Sequence, residues 1–220
     1  INNLDLSGGG GLTIDAGCTL TITGTFTPGT GTINNLGTIV LKGAAAQSFP
    51  GSGATISNMS NLTIDNSSGV TLDKSITVSG TLTLTSGTLT NGANLTMGNG
   101  ANIVRASNGA TLSAAPTFGT TVNVSYTVGG ITTGNELPVL PTFATVLNNL
   151  TLTSGVTSAV LLNTNIQVNG VLALQGTGRL NVQTNTLTYA GSSITLVNSS
   201  GNLNVNTAGC VLNFINTSSI

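Results

Sequence analysis

The stretch LTIDNSSGVTLDKSITVSGTLTLTSGTLTNGANLTM, residues 62–97, decides the fold. Apolar residues alternate with Thr, Ser or Asn in short bursts: LTI at 62, VTL at 70, ITV at 76, LTL at 82 and LTM at 95. Period two over such lengths, punctuated by Gly and Asn, is a strand signal, and no window carries a helical period. The bursts themselves recur. LTI at 62 returns as LTL at 82 and ITV at 76 as LTM at 95, a period of roughly 19–20 residues with about three short strands in each. A right-handed parallel β-solenoid accounts for this recurrence, because each coil stacks on the last at about 4.8 Å and sends alternate residues into a shared interior. The pattern predicts Leu62, Ile64, Leu82 and Leu84 inside, Thr63 and Thr83 outside, and Gly69, Gly80, Gly87 and Gly92 at corners that need positive φ.

The same alternation runs outward through LTI at 12–14, LTITGTF at 20–26, TIVL at 38–41 and LNV at 180–182, so residues 1–220 read as one all-β solenoid segment. A longer echo joins SNLTIDNSSGVTL at 60–72 to NNLTLTSGVTSAVLL at 148–162, each followed by V-x-G-x-L-x-L at 78–84 and 168–174. That spacing, roughly 90 residues, suggests a unit of several coils. In NNLTLTSG, Leu150 and Leu152 are expected in the core, Thr151 outside and Gly155 at a corner. Pro116 to Phe143 is the least regular stretch: VNVSYTV, Gly129-Gly130 and ITT read as a hairpin, and ELPVLP as an extended loop, together an excursion from the solenoid wall. A pair of antiparallel β-sandwiches is the rival architecture, disfavoured by the shortness of the bursts and the few aromatics. The chain opens in INNLDL and closes in VLNFINTSSI, both strand-like and uncapped. The expectation is that further coils, or another chain, cover these ends, making this a fragment of a longer protein.

Composition narrows the function. Only 4% of residues are charged and 3% aromatic, with 30 Gly and no Trp or His. The four cations, Lys42, Lys74, Arg105 and Arg179, are scattered and the net charge is -1. Nucleic acid and anionic lipid, which need clustered Lys and Arg, are therefore not expected partners, and no apolar run reaches the roughly 20 residues of a bilayer span.

Parallel β-helices also carry polysaccharide lyases and hydrolases, whose chemistry needs facing carboxylates, or acids holding Ca²⁺ beside a basic group. The acids are Asp5, Asp15, Asp65, Asp73 and Glu136. Asp65 and Asp73, with Lys74, come nearest to such a set, but both sit in turn phrases where Asp is common. GGGGLTID at 8–15 places Thr13 where a calcium-binding nonapeptide requires Asp. Without His, catalytic triads and the usual zinc sites are absent. No enzyme, cofactor or metal is expected. Thr-x-Thr strings raise ice binding, yet the outward run Asn61, Thr63, Asp65, then Thr81, Thr83, Thr85, then Asn102 and Val104 breaks after one coil, and Thr suits any solvated strand face. Cys18 and Cys210 occupy the matching phrases AGCTL and AGCVL. Eight or nine coils would hold them near 40 Å apart, beyond the roughly 7 Å a disulfide spans, which leaves buried thiols or a head-to-tail intermolecular disulfide. The Asn-x-Ser/Thr triplets are expected by chance in such a composition.

The phrases NLTIDNSSGVTLDKSITVSGTLTLTSGTLTNGANLTM at 61–97 and ITTGNELP at 131–138 with VLNNLTLTSGVT at 146–157 resemble the β-strand-repeat regions of very large surface and secreted proteins of Bacteroidota, many of them exported by type IX secretion. The resemblance implies an extracellular or cell-surface location and a role in an adhesin, stalk or filament, with other copies or flanking domains of the same protein as partners. A carbohydrate-binding module is the alternative, with Tyr126 and Phe143 as candidate sugar-stacking rings and glycans as the partner.

Overall fold

A computed structural model describes residues 1–153, 158–191, 193–197 and 202–215. Among them every regular element is a strand, and every ladder is parallel. The chain winds as a right-handed β-solenoid of about ten turns. Antiparallel sandwiches are thereby excluded.

One long sheet runs the length of the rod. Its rows are Gly11–Ile14, Thr32–Leu41, Thr55–Asp65, Thr81–Ser86, Ala101–Arg105, Val122–Tyr126, Leu147–Leu152, Val171–Gln175 and Ser193–Val197, with Thr19–Ile22 beside the second half of Thr32–Leu41. A second face carries Gln47–Phe49, Val70–Leu72, Thr88–Thr90 and Thr111–Leu112, and resumes with Val160–Leu161, Arg179–Asn181 and Asn202–Asn204. The third face carries Ile76–Val78, Leu95–Met97 and Thr117–Phe118, then Ile166–Val168, Thr186–Tyr189 and Val211–Phe214.

Alternation places the core as expected. Ile39, Leu62, Leu82, Ile103, Val124, Leu150 and Leu172 face one another through successive rows and are all buried. Fully burying one such side chain stabilises by about 1.5–3 kcal/mol. Leu62 and Leu150 lie four rows apart in this column, so the long echo is a spacing of four coils. Gly155 lies outside the described residues.

Three expectations need correction. The 20-residue step holds from Leu62 to Leu82, but others are longer, reaching 26 residues from Val124 to Leu150. Corner loops lengthen without disturbing the ladders, so strand spacing alone underestimates the coil. The hairpin does not form: Val122–Tyr126 pairs parallel with Ala101–Arg105 on one side and Leu147–Leu152 on the other. The nonlocal partners offer two complete ladders, whereas a local hairpin would offer one. The irregular stretch instead spans residues 127–146, touching the second face through an isolated parallel bridge from Thr132 to Leu161. Gly80, finally, lacks the positive φ found at Gly69, Gly87 and Gly92. Its need for glycine is steric, since a Cβ there would stand 2.7 Å from Asn61 Oδ1 and 2.8 Å from Ser60 O.

Asparagine binds coil to coil at the corners. Thr81 N–H donates to Asn61 Oδ1 (2.9 Å) while Asn61 Nδ2 donates to Gly37 O (2.9 Å). Val171 N–H donates to Asn149 Oδ1 (2.7 Å), and Asn94 and Asn185 donate to Leu72 O (2.8 Å) and Leu162 O (2.7 Å). Each bond crosses to an adjacent coil and satisfies backbone that the turn takes off the ladder.

Candidate functional site

The aromatic pair proposed to stack on sugar is not presented at the surface as a pair. Tyr126 ends a strand whose inward phase is Val122, Val124, Tyr126, and it is 0% exposed. Phe143 is half-buried in the irregular stretch, edge-on to Phe118 at 5.3 Å between ring centroids.

Tyr126 belongs to a buried polar cluster. In the second inward column, Leu41, Ile64 and Leu84 are followed by Arg105 and Tyr126 before Leu152 and Leu174 resume. Arg105 is 2% exposed and Glu136, from the irregular stretch, 1%. Arg105 Nη1 donates to Glu136 Oε1 (3.0 Å) and Thr132 O (3.0 Å), and Nη2 to Asn108 O (3.3 Å). Glu136 Oε1 also accepts from Tyr126 Oη (2.8 Å) and Gly134 N (3.0 Å). Burial, then the Glu136 charge, holds the Tyr126 hydroxyl well above its usual pKa. Among the described residues, Arg105 Nε has no hydrogen-bond partner. The cluster fastens residues 132–136 to the solenoid interior. Sequence reasoning missed it, although Arg105 stands at an inward phase after Ala101 and Ile103, which is the one available signal.

Asp65 and Asp73, the acids nearest to a catalytic set in the sequence, each bond to a neighbouring coil. Asp65 pairs with Lys42 (2.8 Å) and accepts from Ser86 Oγ (3.0 Å), and the Lys42 bond draws its carboxyl below the usual range. Asp73 Oδ1 accepts from Gly51 N (2.7 Å), while Lys74 Nζ donates to Ala54 O. Among the described residues, no three His, Cys, Asp or Glu side chains converge as a metal site would require. Cys18 is exposed beside the first rows of the long sheet, and Cys210 is half-buried before the last strand of the third face. Both thiols are free, and the two lie on different faces near opposite ends.

The outer surface of the long sheet runs along the described coils. Its central column reads Val40, Thr63, Thr83, Val104, Ser125, Thr151, Ala173 and Thr195. Across the rows Ala101–Arg105, Val122–Tyr126 and Leu147–Leu152 it dips into an open groove of about 330 Å³ lined by Asn102, Asn123, Val124, Ser125, Asn149, Thr151 and Thr153. The dip coincides with a register shift, where Val122 faces Leu147 but Val124 faces Leu150. The extra residue puts Asn148 and Asn149 opposite Asn123, whose Oδ1 accepts from Asn148 Nδ2 (3.2 Å) and Asn149 N (3.3 Å). Bulges of this kind twist a strand and re-aim its side chains.

Comparisons with family models, with curated proteins and with solved structures return no match.

Proposed function

We propose that this chain is a non-enzymatic, extracellular spacer in a surface adhesin, stalk or filament. Its task is mechanical, holding other parts of the same protein at a distance and offering an uncharged flank for contact. The observation that carries the reading is the long sheet: its rows and inward columns continue through the irregular coil at 127–146, where both smaller faces are interrupted. A rod built this way transmits load through one unbroken parallel ladder and one apolar core. The resemblance to the repeat regions of Bacteroidota surface proteins supports the location, and export by type IX secretion is part of the same proposal.

The test is labelling of intact, unpermeabilised source cells with antibodies raised against this chain, paired with shaving by an external protease. Surface label that disappears on shaving is the expected result. Label only after permeabilisation would overturn the reading.

A further inference from the structure

We propose that the groove across the rows at 101–105, 122–126 and 147–152 binds a neutral polysaccharide. The proposal rests on the reading of the chain as an exported, adhesive segment and names what its uncharged flank would hold. Three observations converge on it. First, the lining is wholly uncharged: Asn102, Asn123, Ser125, Asn149, Thr151 and Thr153 present amides and hydroxyls beside Val124, with no carboxylate or cation among them. The one ion-paired cation nearby in sequence, Arg105, is turned into the core and consumed by Glu136. An anionic or cationic ligand would find no counter-charge there, whereas a polyol loses nothing by that lack.

Second, the lining divides into groups already used by the fold and groups left over. Asn123, Asn149 and Thr153 are committed to neighbouring coils. The Asn102 amide and the Ser125 and Thr151 hydroxyls bond to no protein group among the described residues, and Ser125 and Thr151 stand directly opposite one another in adjacent rows. The Ser125 and Thr151 hydroxyls thus stand at a row spacing of about 4.8 Å, comparable to the length of one pyranose ring, with Asn102 in the neighbouring column opposite Asn123. Each can both give and accept a hydrogen bond, as sugar hydroxyls do.

Third, the register shift sits at this place and makes the only step of 26 residues in the inward column traced above. The concavity on the outer face lies over this shift. At about 330 Å³ it falls at the lower end of small-ligand sites, which suits a short run of sugars in an open groove.

The experiment uses the full chain, ¹⁵N-labelled, titrated with cellohexaose, maltohexaose and xylohexaose, and with hexagalacturonate as the acidic counterpart. The expected result is that at least one neutral hexasaccharide shifts the backbone amides of Asn102, Ser125 and Thr151 with a dissociation constant below about 1 mM, and that hexagalacturonate does not. Ser125→Arg should weaken that binding tenfold or more with an unchanged unfolding midpoint, while Thr63→Arg, in the same outer column three rows away, should leave it unchanged. Asn102→Ala, at an exposed amide without a protein partner, gives the second measure if Ser125→Arg fails to fold. No binding by any neutral hexasaccharide, tighter binding of hexagalacturonate, or shifts that depend on protein concentration and so report a second copy on the face would each overturn the proposal. Surface labelling that persists alongside such a failure leaves the spacer reading standing, so the two fail separately.

Discussion

Glu136→Ala removes the carboxylate shared by Arg105, Tyr126 and the Gly134 amide. Arg105 would keep Thr132 O and Asn108 O as acceptors, but its charge would remain in the core with no counter-charge. Breaking a buried pair from one side costs about 3–5 kcal/mol. The Tyr126 hydroxyl would also lose its acceptor, at about 1–3 kcal/mol for a buried group, whereas the exposed Gly134 can offer its amide to water, and losses within one network do not add fully. A total of about 4 kcal/mol follows, concentrated in the coils from Ala101 to Leu152 because solenoid coupling is between neighbours. Urea unfolding followed by circular dichroism measures the total, and hydrogen exchange at 101–105 and 122–126 locates it. The informative partner is the triple variant Arg105→Leu, Tyr126→Phe and Glu136→Leu, which restores an apolar column from Leu84 to Leu152. Exchanging a buried ion pair for well-packed apolar groups is often neutral or stabilising, so the triple should recover most of the loss. A loss below about 1 kcal/mol in Glu136→Ala, or a triple variant as unstable as the single, would refute the reasoning.

Three further predictions concern titration and backbone. The Tyr126 hydroxyl titrates higher folded than unfolded, so its contribution is intact below the unfolded value of about 10 and is lost as pH rises above it, by up to about 1.4 kcal/mol per unit. Tyr126→Phe should flatten that alkaline limb in pH-dependent urea titrations, with a smaller slope of the same sign left by Tyr189. Lys42→Ala should let the Asp65 carboxyl rise toward its ordinary range in an NMR titration and flatten the acid limb, where stability now falls as pH drops through the depressed value. Because Lys42 is 60% exposed, the stability change at neutral pH should stay within about 1 kcal/mol. Gly92→Ala, at φ 49° with open space around it, should cost only the ~1–3 kcal/mol of a strained backbone. Gly87→Ala, at φ 72° with Asn66 O in the way of a Cβ, should exceed about 4 kcal/mol, since that carbonyl also accepts from Gly69 N; thermal unfolding of the pair separates the two causes.

What could be read from the chain was whatever depends on a period of two. The inward places of Leu62, Ile64, Leu82 and Leu84 and the outward places of Thr63 and Thr83 follow from alternation, and one face of a strand cannot slip to the other without exposing the core. Positive φ at Gly69, Gly87 and Gly92 followed from turn chemistry. What escaped depends on partners distant in sequence. Gly129-Gly130 after VNVSYTV is a sound local hairpin signal, but two parallel neighbours outbid it, and nothing within seven residues announces them. Arg105 and Glu136 are 31 positions apart, so each alone looks like one more scattered charge. The asparagines were counted as chance sequons, because their bonds from Asn61 to Gly37 or from Asn149 to Val171 become visible only once coil is laid on coil.

Apart from the asparagine bonds, these misses share a location. The buried ion pair, the failed hairpin, the interruption of both smaller faces and the register shift under the outer groove all belong to the coils between Ala101 and Leu152. Most differences in coil length are taken up at the corners, but this coil is several residues longer than its neighbours and places part of the surplus at the wall itself. Here it is placed on both sides of the wall: inward, where Glu136 must bring its own cation and hydroxyl to be tolerated, and outward, where Asn148 and Asn149 crowd against Asn123 and open the groove beside Ser125. Shortening the irregular stretch would therefore be expected to change the groove through the register of Leu147–Leu152, although none of the residues removed touches it.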